Sequence, residues 1–257
     1  MPIVVTGLAT AAVKGTRLRT VEQIELGRDG ARGDRRFFVI DVRNRMLNGK
    51  QLGELSTLVS SYDEQDARLL FTLPDGHVIE DRIELGETVS ARFYSISMGG
   101  RLLLGPWSEA LSELAGQPLR LVQSPVAAVD RGSQGAASLV SRASLARLAQ
   151  AAQRSGVDAR RFRMLIEIDG VAAHEEDQWV GQTVSIGDAQ LRFGGHVGRC
   201  FVTSRDPDSG EIDLPTLDIL GTYRSEIGST EPLPFGVYGR VLREGTIAVG
   251  DRVTLIE

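Results

Sequence analysis

The chain has 257 residues, 42% of them hydrophobic and 25% charged, which is enough for one large domain or two small ones around a substantial core. Its hydrophobic content and modest net charge of -5 exclude a disordered chain. No apolar run approaches the roughly 20 residues of a membrane-spanning helix, and the first seven residues lack the basic and apolar regions of a secretion signal. The acidic balance argues against nucleic acid as a partner, so a soluble cytoplasmic protein with no nucleic-acid or membrane partner is expected.

In chain order, β-branched or alternating patterns predict strands at residues 3–8, 36–42 and 68–73, the last followed by the hairpin turn Pro74-Asp75-Gly76. A short helix is expected at 106–115. Residues 129–138 carry the weakest pattern, so a boundary or mobile loop is expected near 120–138. Ser141 or Ser144 then caps the clearest helix, with Leu145, Leu148, Ala149 and Ala152 as its apolar stripe and Gly156 just past its end. Strands follow at 163–168, 183–186, 190–193 and 201–204, then the turn Asp206-Pro207-Asp208-Ser209-Gly210 and a helix at 214–223. Two more strands, at 235–241 and 252–256, complete the pattern, with Gly245 and Gly250-Asp251 punctuating the last hairpin. Many short strands with few helices predict a mainly β (α+β) fold with a barrel or sandwich core.

Cys200 is the only cysteine, which rules out an intrachain disulfide and any Cys-only zinc or iron–sulfur site built by one chain. With three histidines, a His-rich metal cage is not expected either, so the chemistry falls to an imported cofactor, carboxylates or that thiol. Of 29 basic residues only Lys14 and Lys50 are lysines. The arginine bias fits GC-rich coding, but guanidinium forks also match phosphate or carboxylate oxygens.

Three segments stand out. In Gly33-Asp34-Arg35-Arg36, charges directly precede the apolar run 37–40. In Arg160-Arg161-Phe162-Arg163, strand alternation would place Arg161 and Arg163 on one face, a crowding that an anion would relieve. In Gly194-Gly195-His196-Val197-Gly198-Arg199-Cys200, the thiol stands before an apolar stretch. A lone cysteine there is most often a small buried hydrophobe. Arg199 beside it would favour thiolate, and the glycines would admit a bulky ligand. His196 reads as a surface or supporting residue, Asp34 and Asp177 as structural acids, and Trp179 as core.

The fixed order of Gly33-Asp34-Arg35-Arg36, Ser141–Leu148 (SRASLARL), Arg161-Phe162-Arg163, Glu176-Asp177-Gln178-Trp179, Gly198-Arg199-Cys200, Asp206–Gly210, Phe235-Gly236-Val237-Tyr238 and Gly245–Asp251 resembles the MOSC proteins, including the two-module amidoxime-reducing type. The resemblance implies an N-terminal β-barrel module over 1–125 packed with a MOSC β-barrel domain over 126–257. It implies a molybdenum cofactor (molybdopterin) between them, with Cys200 as metal ligand and catalytic thiol, and no pyridoxal phosphate. Lys14, Arg35 and Arg163 match anion-binding positions, and Ser138, Gly198 and Arg199 are further cofactor contacts. The implied activity is reduction of N-hydroxylated or N-oxide small molecules, with electrons from a separate reductase or ferredoxin. The alternatives are a sulfur-transfer or carbon–sulfur bond enzyme carrying a Cys200 persulfide, and a non-catalytic cofactor carrier. Two positions depart from the family pattern: Met164-Leu165 stands where relatives read Pro-Asn, and Lys14-Gly15 where they read Lys-Ser.

Overall fold

The computed structural model describes residues 1–93, 96–126, 132–229 and 231–256. Strands dominate, and the described residues include three α-helices: α1 (Trp107–Ala115), α2 (Arg142–Ala151) and α3 (Thr216–Arg224). The fold is mainly β, as expected. No helix among the described residues is long and apolar enough to cross a membrane.

The largest sheet has eight strands, in the spatial order Val253–Ile256, Thr183–Ile186, Ala189–His196, Val237–Arg243, Ala137–Ser141, Ile166–Asp169, Val4–Thr10 and Arg19–Val21. Alternation turns Val184, Ile186, Leu191 and Phe193 inward, where they meet Val5, Leu8, Leu139, Ile168 and Trp179 in one core. The parallel pair Ala137–Ser141 and Ile166–Asp169 requires a crossover, and α2 supplies it. Ser141 starts that helix as expected, its Oγ accepting from Ser144 N at 3.1 Å. The row of strands curls on itself, because Val5 N donates to Asp251 O (2.9 Å), Gly250 N to Val5 O (2.8 Å) and Val253 N to Ile3 O (2.9 Å).

A five-stranded sheet contains Phe37–Ile40 between Arg120–Gln123 and Met46–Leu47. Phe37–Ile40 is apolar throughout because both its faces are covered. Phe37 and Val39 pack with Leu55, Phe71 and Trp107, while Phe38 and Ile40 pack with Val89, Phe93 and Val122. Pro74-Asp75-Gly76 joins Arg68–Thr72 to Val78–Arg82 as expected, with Gly76 at a φ of 87°.

The sheets cross the expected division at residue 125. Val4–Thr10 and Arg19–Val21 lie in the C-terminal sheet, and Gln23–Gly27 pairs with Gly245–Ala248. Some local expectations also change. Residues 201–204 form a 3-10 turn, not a strand, and the strand expected from 163 begins at Ile166. In the weakly patterned region, Gly132–Gly135 is a 3-10 turn and Ala137–Ser141 an interior strand; residues 127–131 lie outside the described residues.

The halves meet at the turn 206–210. Arg17 Nη2 donates across to Asp208 O at 2.7 Å, while Arg205 Nη1 braces the turn from within its own half by donating to Gly210 O at 2.6 Å. Gly210 has a φ of 75° and lies directly against Gly53, so that a Cβ on it would overlap the Gly53 carbonyl. Gly210→Ala is therefore expected to cost about 2 kcal/mol or more in chemical denaturation; an unchanged midpoint and slope would contradict this packing.

Candidate functional site

The site is built around a buried arginine and an exposed cysteine that are neighbours in sequence. Arg199 is 8% exposed, whereas the next residue, Cys200, is exposed. The Arg199 guanidinium turns inward. Its Nη1 donates to Phe162 O (2.9 Å), its Nε to Phe235 O (2.9 Å), and its Nη2 to Phe235 O and to Met164 Sδ (3.0 Å). It also lies 5.2 Å from the centre of the Phe162 ring, which stacks on Phe235. Cys200 has extended backbone (φ -131°, ψ 175°), so its side chain leaves on the opposite side. Its carbonyl accepts from Thr203 N (3.1 Å) and Thr203 Oγ1 (3.0 Å), which fixes the 3-10 turn behind it.

Cys200 lines a cavity of about 530 Å³ together with Lys14, Arg35, Ser138, Arg163, Gly198 and Arg199. All seven residues singled out from the sequence therefore share one cavity. Backbone pairing brings the basic ones there. Lys14 N donates to Phe37 O (2.8 Å) and Arg35 N to Ala11 O (2.7 Å), which sets two distant segments side by side. Asp34 is structural, as expected: Oδ1 accepts from Ala11 N and Oδ2 from Arg35 Nη1, both at 2.8 Å. Arg35 Nη2 in turn donates to Arg163 O at 2.7 Å. Arg35 and Arg163 both adopt the left-handed conformation (φ 48° and 54°), sparsely populated by side-chain-bearing residues and concentrated at functional sites.

The expected strand face bearing Arg161 and Arg163 does not form. Residues Ala159–Phe162 are a 3-10 turn that Arg163 terminates, so the three guanidiniums diverge. Arg160 forks onto Asp208 (both contacts 2.8 Å) and onto Asp158, while Arg161 grips Asp213 at 2.6 and 2.7 Å. These contacts hold Asp208 and Asp213 below the usual carboxylate range. Arg161 and Arg163 both line the thiol cavity, Arg161 with its guanidinium committed to Asp213, whereas Arg160 does not.

The glycines also have a different purpose from the expected one. A Cβ on Gly198 would strike Glu231 and Pro232, and one on Gly195 would strike the Tyr238 hydroxyl. Glycine there admits the protein's own loops. Tyr238, Glu231 and Asn48 also line the cavity; Tyr238 falls in the segment Phe235-Gly236-Val237-Tyr238, but no spacing in the sequence marks any of the three as lining it. The family-departing pair is buried: Met164 accepts from Arg199 through sulfur, and Leu165 N donates to Ser138 Oγ at 3.0 Å. His196 is a supporting residue, with Nε2 3.8 Å from Asp177, which pairs with Arg224 at 2.7 Å; Trp179 is core.

Beneath Phe235 lies His174, whose ring is 5.5 Å from that of Phe235 and 5.7 Å from that of Tyr223. Burial, aided by the Arg224 charge, pushes its pKa down to about 4 from an ordinary 6.5. The unfolded chain therefore takes up a proton below pH 6.5 that the folded chain refuses until about 4. This contribution to stability is complete above that window and is lost as pH falls through it. The depressed aspartates act only below their ordinary 3.8. Between pH 7 and 5, His174→Phe is expected to lose less stability than the unsubstituted protein in chemical denaturation; equal losses would contradict the assignment.

Residues 127–254 match the MOSC domain family. The chain is 28% identical over 269 residues to mitochondrial amidoxime reducing component 2 of Bos taurus, covering 93% of this chain and 78% of that protein. It is 39% identical over 124 residues to mitochondrial amidoxime-reducing component 1 of Mus musculus, covering 46% of this chain and 36% of that protein. Among solved structures, the YuaD protein of Bacillus subtilis aligns over 99% of this chain and 96% of its own, with 11% identity and a TM-score of 0.46. The exposed thiol, the cationic cavity and the family match lead to one statement: this chain belongs to the MOSC-domain proteins.

Proposed function

We propose that this protein is a cytoplasmic oxidoreductase that binds a molybdenum cofactor and reduces N-hydroxylated or N-oxide compounds, amidoximes among them, with electrons from a separate reductase or ferredoxin. The observation that carries the reading is the sole thiol, exposed on a cavity that also presents Lys14, Arg35 and Arg163. The donor set suits the group. A molybdopterin needs fixed positive charge for its phosphate, and two guanidiniums and an ammonium supply it. It also needs one protein sulfur for the metal, and Cys200 is available. Ser138 accepts from Leu165 N, and its hydroxyl keeps one proton to donate.

When bound, the cofactor would supply two-electron oxygen-atom transfer. The chain's own part is positioning. Arg199 holds the Cys200 backbone from behind, and the Asp34 carboxylate and Arg163 carbonyl hold the Arg35 guanidinium in place, so that charge needs no reordering when a phosphate arrives. In the overall reaction the N–O bond of an amidoxime breaks. Two electrons from the donor and two protons yield the amidine and water. The MOSC match and the amidoxime-reducing relatives support this reading.

The test is expression in a host that makes molybdopterin, followed by metal analysis and benzamidoxime reduction with a chemically reduced viologen as donor. The expected result is molybdenum bound to the unsubstituted protein, with turnover lost in Cys200→Ala and metal retention weakened in Arg163→Ala. Protein that purifies without molybdenum, or turnover undiminished in Cys200→Ala, would overturn the proposal. A metal-free protein whose Cys200 accepts a persulfide from a donor would replace it with sulfur transfer.

A further inference from the structure

A second cavity, of about 760 Å³, lies on the other side of Met164 and Leu165, which line both it and the thiol cavity. Its walls are α2 and the strand Val4–Thr10, with Leu8, Leu18, Leu145, Ala146 and Ala149 giving it an apolar body. One end carries a carboxylate. The Glu167 side chain is 22% exposed, and its Oε1 accepts from Thr6 Oγ1 (3.3 Å) and meets Arg142 Nε at 3.2 Å. That arginine is 59% exposed and sits on the rim, so the carboxylate is open from the cavity side to a second partner. Strand pairing slips between Val5 and Gly7, and Gly7 lies against the Glu167 side chain, which leaves the carboxyl room inside the cleft.

The remaining charges are already matched. Arg160 is held by Asp158 and Asp208, and Arg154 by Asp213. Burial, with Asp158 and Asp169 nearby, pushes the Glu167 carboxyl up and outweighs Arg142, the exposed guanidinium that pairs with it. An apolar cleft in which Asp158 is held by Arg160 while Glu167 pairs only with an exposed guanidinium at the rim suits a cation with a hydrocarbon body.

We infer that this cleft binds a small apolar organic cation, an alkyl or aryl amine or amidine, with its charge on Glu167 and its hydrocarbon between α2 and Leu8 and Leu18. The site is separate from the thiol cavity and does not depend on the activity proposed above.

The test is calorimetric titration of the full-length protein with 4-phenylbutylamine and with its matched anion, 4-phenylbutyrate. The amine binds one per chain and the anion does not. Glu167→Gln weakens the amine about tenfold or more, as for a lost charged hydrogen bond. Ala146→Trp, which adds bulk from an exposed position of α2, abolishes binding, and in both variants the unfolding midpoint and the alkylation rate of Cys200 stay at their original values. No binding of the amine, equal binding of the anion, or undiminished binding in either variant would overturn the inference.

Discussion

The site depends on a guanidinium buried in its wall. Arg199 is buried, and a buried cation is costly unless its donors are matched. Two backbone carbonyls, a thioether sulfur and an aromatic face supply the match, and they come from two distant segments, Phe162–Met164 and Phe235. That single side chain fastens the cysteine loop to the 3-10 turn carrying Arg163 and to the strand carrying Tyr238. With Arg199 committed inward, the extended backbone sends Cys200 outward. The Gly-Arg-Cys segment is thus an anchor followed by an exposed thiol. Arg199 acts by placing the thiol, and its donors are spoken for.

The other basic residues sort by what they hold. Arg17, Arg160, Arg161 and Arg205 tie the turn 206–213 to the rest of the chain through Asp208, Asp213 and Gly210. Lys14, Arg35 and Arg163 face the thiol cavity instead. Two of those three residues occupy left-handed backbone, a conformation whose cost is offset by Asp34 and by the Arg35–Arg163 contact. The neighbouring cleft behind Met164 and Leu165 has a different character, with an apolar body, ion-paired arginines and the Asp158 and Glu167 carboxylates. One short segment therefore separates the thiol cavity from this cleft.

Much of this was legible in the sequence. The strands at 183–186 and the Ser141 cap follow from alternation and capping chemistry, which act over a few residues. The cavity residues emerged from motif order, since segments some 190 residues apart share no local signal. Local reasoning failed where tertiary contacts override it. Arg160–Arg163 has a strand-like look, but carboxylates at 206–213 draw the arginines into a tight turn. Residues 201–204 open on the β-forming pair Phe201-Val202, but Thr203 and the Cys200 carbonyl close a 3-10 turn there. Gly198 reads as room for a ligand until Glu231, over 30 residues later, is seen to fill it. The early strands belong with the C-terminal sheet because Val5 and Leu8 find their apolar partners there, a pairing no composition shift announces.

The central claim is that Cys200 gives its sulfur to a metal held in the cationic cavity. X-ray absorption at the molybdenum edge on the loaded protein tests it most directly, by comparing unsubstituted protein with Cys200→Ser at matched metal content. The account predicts one fewer sulfur neighbour around molybdenum in the variant. An unchanged sulfur shell would contradict it.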